Sequence, residues 1–152
     1  MTGNALLGMF AEYDFFNNFS EQHLMKLAAG AKTFRLATGE YLAREGAPGS
    51  GLYLLQSGQI SLHMQAPNKG TVHVQDVGPG NLVGWSWLVP PHKWQFDCRA
   101  VDDVKGLGFD GGWLRELCEQ DHVLGYQLLK QMITVMHTRA AATRTHLLDM
   151  YK

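Results

Sequence analysis

Cysteine is scarce in this chain: Cys98 and Cys118 stand twenty positions apart and are the only two. Two isolated thiols cannot staple a disulfide-built scaffold, and they follow no metal-ligand spacing. They suit a reducing compartment, so a cytoplasmic location is expected. Charge of one sign is also lacking. The formal net charge is −1 at pH 7, so no global field draws the chain to nucleic acid or to an anionic membrane. No apolar run approaches the ~20 residues that span a bilayer. Met1-Thr2-Gly3-Asn4 lacks the positive leader of a signal peptide. Low-complexity linkers and internal repeats are absent.

The usual catalytic patterns are missing too. Ser57 and Ser86 have no recognisable base and orienting partner, and no Walker-type loop occurs. Seven histidines are present, yet none stands in a His-Glu-x-x-His arrangement. His63 and His73 could approach one another across a hairpin, and exposed strand positions explain them equally well. The expectation is no enzyme, no catalytic residue, no metal and no resident cofactor.

What the chain does have is length and apolar content for a real core: 152 residues, 45% of them hydrophobic. That suits a single domain over residues 1–152. Gly39, Gly46, Gly58 and Gly80 punctuate short segments rich in Leu, Tyr, Val and Ile. Such spacing predicts an all-β sandwich or barrel. Ile60, Leu62 and Met64 alternate with Ser61, His63 and Gln65, the pattern of a half-buried strand. Gly78-Pro79-Gly80 must interrupt pairing.

Helices are expected at both ends, over residues 1–31 and 110–152, with strands over 32–109. Residues 5–16 read as a short apolar helix. Ser20, Asp110 and Asp121 are placed to cap helices beginning near Glu21, Gly111 and His122. The final helix, roughly 122–149, carries Leu129, Met132, Met136 and Leu147 near a three-four spacing. This stripe either packs on the chain's own barrel or forms a coiled-coil seam between two copies.

Several stretches together resemble one known family. They are Gly39-Glu40-Tyr41-Leu42, Arg44-Glu45-Gly46, the apolar run Leu52 to Leu55 ending at Ser57-Gly58, and Val77-Gly78-Pro79-Gly80-Asn81-Leu82-Val83-Gly84. Over roughly residues 19–150 the chain resembles the cyclic nucleotide-binding domain family, the effector domain of the catabolite activator superfamily. The resemblance implies a mainly β fold, an antiparallel jelly roll with flanking helices and a long C-terminal helix. It also implies a homodimer built on that helix, favouring the seam of Leu129, Met132, Met136 and Leu147.

The resemblance further implies a phosphate-binding cassette after Gly84, with a glutamate for the ribose and an arginine for the cyclic phosphate. Trp85 stands at the glutamate position and Trp94 at the arginine position. A buried anion without its cation is costly, so cyclic AMP and cyclic GMP are not expected to bind in the usual manner. Alternation puts Trp94, Phe96, Cys98 and Ala100 on one strand face, with Gln95, Asp97 and Arg99 on the other. Arg99 would then point away from the pocket and pair with Asp97. His92 and Lys93 read as a solvated turn. Backbone N–H groups at a short helix start near Ser86 could meet an anion.

The candidate ligand-binding residues are therefore Gly84, Trp85, Ser86, Trp87, Leu88, Trp94 and Gln95. Their aromatics either fill the old pocket, line a cleft for an apolar or planar ligand, or belong to a rearranged nucleotide site. Two cysteines cannot supply the four-cysteine iron–sulfur cluster of some relatives. The chain stops at Lys152, where related regulators add a helix-turn-helix, so direct DNA binding by this chain is not expected. The functional expectation is a stand-alone regulatory or sensor domain that takes a small ligand. The alternative is a ligand-free interaction module acting through its last helix.

Overall fold

The computed structural model describes residues 3–150. Eight strands form two four-stranded antiparallel sheets. They are β1 (Ala31–Leu36), β2 (Tyr41–Ala43), β3 (Gly51–Ser57), β4 (Ile60–Ala66), β5 (Gly70–Val77), β6 (Leu82–Val83), β7 (Asp97–Ala100) and β8 (Val104–Asp110). One sheet runs β1-β8-β3-β6 and the other β2-β7-β4-β5. Around this jelly roll lie α1 (Gly3–Phe10), a single 3-10 turn at Asp14–Phe16, α2 (Glu21–Ala28), α3 (Gly111–Gln120) and α4 (His122–Met150). The mainly β architecture with a long final helix is the one the sequence implied.

Three helix starts follow from capping chemistry. The Ser20 hydroxyl accepts from the His23 N–H at 3.2 Å, Asp110 accepts from the Trp113 N–H at 2.9 Å, and Asp121 accepts from the Leu124 N–H at 3.1 Å. Each satisfies an amide that the first helical turn leaves unpaired. The expected continuous helix over 5–16 is instead broken after Phe10. The break lets consecutive Phe15 and Phe16 both bury, and Phe16 stacks on Phe10 with centroids 4.3 Å apart.

The sheet containing β3 is covered on both faces, which explains why Leu52 to Leu55 is a continuous apolar run. Leu52 and Leu54 join Phe10, Phe16, Leu107 and Phe109 in a core shared with the helices. Leu55, with Ile60, Leu62, Val83, Trp94 and Cys98, forms a second core between the sheets. Burying each large apolar side chain contributes roughly 1.5–3 kcal/mol. The alternation expected for β4 holds through Leu62 but fails at Met64, which is 38% exposed. The reason is the end of the partner strand: β7 pairs with β4 only from Ile60 to His63, so the β4–β5 hairpin projects past the sheet.

Candidate functional site

The cassette begins where β6 ends. Gly84 has φ +100°, and a Cβ there would lie 2.2 Å from the Gly51 carbonyl oxygen and 3.0 Å from the Trp94 ring. Only glycine lets the chain turn so close to β3 and to that indole. Trp85 follows in extended chain, and Ser86 to Leu88 form a turn closed by the Leu88 N–H on the Trp85 carbonyl at 3.1 Å. The short helix expected near Ser86 is therefore absent, and with it the helical anion site. The Trp87 indole N–H donates to the Gly84 carbonyl at 3.1 Å, which locks the turn from inside.

The structure divides the candidate residues. Gly84, Trp85, Ser86, Trp94 and Gln95 line one small cavity together with Leu62, Val83, Phe96 and Cys98. Trp87 and Leu88 do not line it. Trp87 is fully buried in the helix-side core, and Leu88 packs against the same cluster. Trp94 is 5% exposed and stacks on Tyr53, centroids 6.3 Å apart. At the mouth, Trp85 meets Phe96 edge to face at 6.1 Å. What remains inside is about 10 Å³, room for about one water molecule.

The outward face differs from expectation. Regular strand starts only at Asp97, and Asp97 is itself buried. Its carboxylate accepts from the Glu45 N–H at 2.8 Å and faces the Arg44 guanidinium at 3.4 Å. Arg99 instead donates to the Gly39 carbonyl at 3.1 Å and lies over Tyr41. The Asp97–Arg99 pair does not form, because the loop carrying Arg44 and Glu45 reaches Asp97 first. Cys98 and Ala100 do share the inner core with Trp94. Burial, then the neighbouring Asp97 charge, pushes the Cys98 thiol up to about 12, so it is a neutral wall of the cavity. His63 and His73 do meet, rings 5.2 Å apart, with His73 bonded to Asp76 at 2.9 Å.

Helix α4 resolves the two readings of its stripe by dividing the residues. Leu124, Leu128 and Met132 are buried in the chain's own core, and Val135 packs on it. Met132, at 2% exposure, is thereby removed from the proposed seam. Ile133, 64% exposed, lies at the neighbouring position. Leu129, Ile133, Met136, Ala140, Thr143, Leu147 and Met150 follow a regular four-three spacing, with Leu129 and Met136 half-buried and Leu147 50% exposed.

The inner row continues from Leu128, Met132 and Val135 to Arg139. The Nη2 of Arg139 donates to the Leu82 carbonyl on β6, and its Nη1 is buried with no partner. Desolvation lowers its pKa to about 10. The signal was present in the sequence as helical spacing, since residues 128, 132, 135 and 139 share one face. Among the described residues no group of three or more His, Cys, Asp or Glu side chains could hold a metal ion. None of the described helices is long and apolar enough to cross a membrane.

A two-sheet jelly roll with a glycine-hinged loop under a long final helix defines a ligand-binding regulatory fold. The family model described as "Cyclic nucleotide-binding domain" matches residues 33–121, and the chain belongs to that family. Solved structures share the fold. A cyclic nucleotide-binding protein from Geobacter metallireducens is 24% identical, with TM-score 0.78 over 92% of this chain and 98% of that one. A cyclic nucleotide-binding domain from Methylobacillus flagellatus is 20% identical, with TM-score 0.81 over 97% and 83%. The regulatory subunit of a cAMP-independent protein kinase A from Trypanosoma cruzi, solved bound to guanosine, is 17% identical, with TM-score 0.66 over 72% and 39%. No curated protein matches the chain.

Proposed function

We propose that this chain is a non-catalytic regulatory domain that takes no cyclic nucleotide in the family's usual manner and acts through its final helix. One observation carries the reading: the cassette cavity is reduced to about 10 Å³ by Trp94 and its aromatic neighbours. A nucleotide needs a cleft of some hundreds of Å³. The positions that would hold ribose and phosphate are Trp85 and Trp94, neither of which carries charge. Output is assigned to α4, whose outer row of Leu129, Ile133, Met136 and Leu147 suits pairing with a second copy in a symmetric homodimer. The domain is proposed to work in the cytoplasm without a resident cofactor.

Native mass spectrometry of freshly purified protein tests this reading. A dimer carrying no small molecule is expected. A monomer at high micromolar concentration, or a dimer carrying one nucleotide per chain, would overturn it. A second reading, in which the domain takes a small ligand of another kind, is favoured by a separate observation: the buried Nη1 of Arg139, which has no hydrogen-bond partner.

A further inference from the structure

His63 and His73 stand opposite each other because β5 carries one extra residue. Ser61 pairs with Asp76 and Leu62 with Gln75, but His63 pairs with His73, so Val74 is a β-bulge. Positions 73 and 76 are three apart and would face opposite sides of a regular strand. The bulge brings them together, with the His73 Nε2 2.9 Å from the Asp76 carboxylate. It also sets the two imidazoles 5.2 Å apart at 62°. A bulge that disrupts the ladder and re-aims a side chain is over-represented next to functional sites.

The ring nitrogens converge. The His63 Nε2 lies 3.4 Å from the Ser61 hydroxyl, and the His73 Nε2 lies on Asp76. Ser61 and Asp76 are cross-strand partners, so both nitrogens are directed to one end of the histidine pair. The charges nearby favour a cation. Asp76 stands at that end, and Asp97 is the partner of His63 on β7. The neighbouring Arg99 is held away, donating to the Gly39 carbonyl and lying over the Tyr41 ring.

We propose that His63 and His73 together bind an exchangeable divalent transition-metal ion of the zinc class. Imidazole suits zinc, copper and nickel. Two imidazoles on one tetrahedral ion, with metal–nitrogen bonds of about 2.1 Å, hold their ring centres about 5 Å apart. Two protein ligands are fewer than the three-residue groups that are absent among the described residues. Water therefore completes the coordination, and the Asp76 carboxylate is placed to bond it as an outer-shell partner. Neither histidine lines the cassette cavity, so this site is independent of the nucleotide question.

The position in the fold gives the ion a consequence. β7 pairs with β4 only as far as His63. Beyond that point the β4–β5 hairpin is held by its own ladder. An ion shared by His63 and His73 cross-links the two strands at the root of the hairpin, so its occupancy sets how firmly residues 64–72 hold.

The test is calorimetric titration of zinc chloride, after removal of metal with EDTA, into the parent, His63→Gln, His73→Gln and the double variant. His23→Gln is the control, because His23 makes the other histidine–aspartate contact, 3.4 Å from Asp121. The parent is expected to bind one zinc ion per chain at this site, and zinc is expected to raise its melting midpoint. Each single variant should bind at least tenfold more weakly, and the double variant should lose nothing further. Such non-additivity marks two ligands acting as one unit. Asp76→Asn, which keeps both ligands, should weaken binding by less than either histidine change. Copper should bind more tightly than zinc, and magnesium, which prefers oxygen ligands, should give no response.

All variants should melt with the parent in EDTA. The proposal fails if the parent shows no zinc binding, if His63→Gln or His73→Gln binds like the parent, or if the two losses simply add. Loss of the site in His23→Gln instead would place the ion elsewhere and overturn the assignment.

Discussion

Trp94 stacks on Tyr53 with ring centroids 6.3 Å apart, and its indole forms part of the wall of the cassette cavity. Tyr53 is anchored in turn by its hydroxyl, 3.0 Å from that of Ser50. Trp94 is thus both plug and core residue. Trp94→Ala is expected to destabilise the fold by about 3–5 kcal/mol in denaturant melts. The enlarged cavity should still refuse cyclic AMP, because the missing cation is not restored. Nucleotide binding by Trp94→Ala would show that bulk alone had excluded it.

The fold was legible because each sign of it is local. Positive-φ glycines mark the turns, and capping residues mark the starts of α2, α3 and α4. The inward direction of Trp94 was implied by the resemblance, which puts it at a pocket position. The Asp97 environment was not, because Arg44 and Glu45 lie over fifty positions earlier in the sequence and only sheet pairing brings them near. Trp87 was mistaken for a pocket residue because its indole turns back to bond Gly84, a geometry that residue type cannot reveal. Met132 was misjudged for a related reason. A helix with apolar residues on two neighbouring faces does not say which one meets its own core.

That division of α4 gives a paired experiment. Ile133→Glu would place two like charges opposite each other at a twofold seam. It should dissociate the dimer in light scattering while leaving the monomer's melting nearly unchanged. Met132→Ala should do the opposite, costing about 2–5 kcal/mol of fold stability with the dimer intact. A swap of these two outcomes would move the interface to the other face.

Asp121 joins α2 to the start of α4, accepting from the Lys26 ammonium at 2.6 Å and from the Leu124 N–H at 3.1 Å. The Lys26 bond first, and then the amide, hold its carboxyl down at about 2, against about 3.9 for an unfolded aspartate. A depressed acid pKa contributes stability that is full above the unfolded value and is lost as pH falls through the folded one. The parent should therefore lose stability between about pH 4 and pH 2 more steeply than Asp121→Asn. Parallel acid-denaturation curves for the two proteins would contradict this.

The two thiols should differ in reactivity. Thiolate is the reactive form. Cys98 is buried, with its thiol pushed up to about 12, whereas Cys118 is only partly buried and its thiol is also raised. With a chromogenic disulfide reagent at pH 8, Cys118 should react first, and Cys98 should react at the rate of unfolding. Equal rates in the native protein would mean that the wall containing Cys98 opens readily.

Isothermal calorimetry of the parent with cyclic AMP and cyclic GMP tests the central claim most directly. Removing the partner of a buried charge costs about 3–5 kcal/mol, more than a hundredfold in affinity, and here the space is closed as well. No heat of binding is expected for either nucleotide at concentrations up to about 100 μM, on the order of a hundredfold above a micromolar Kd. A 1:1 isotherm per chain with micromolar or tighter affinity would contradict the account.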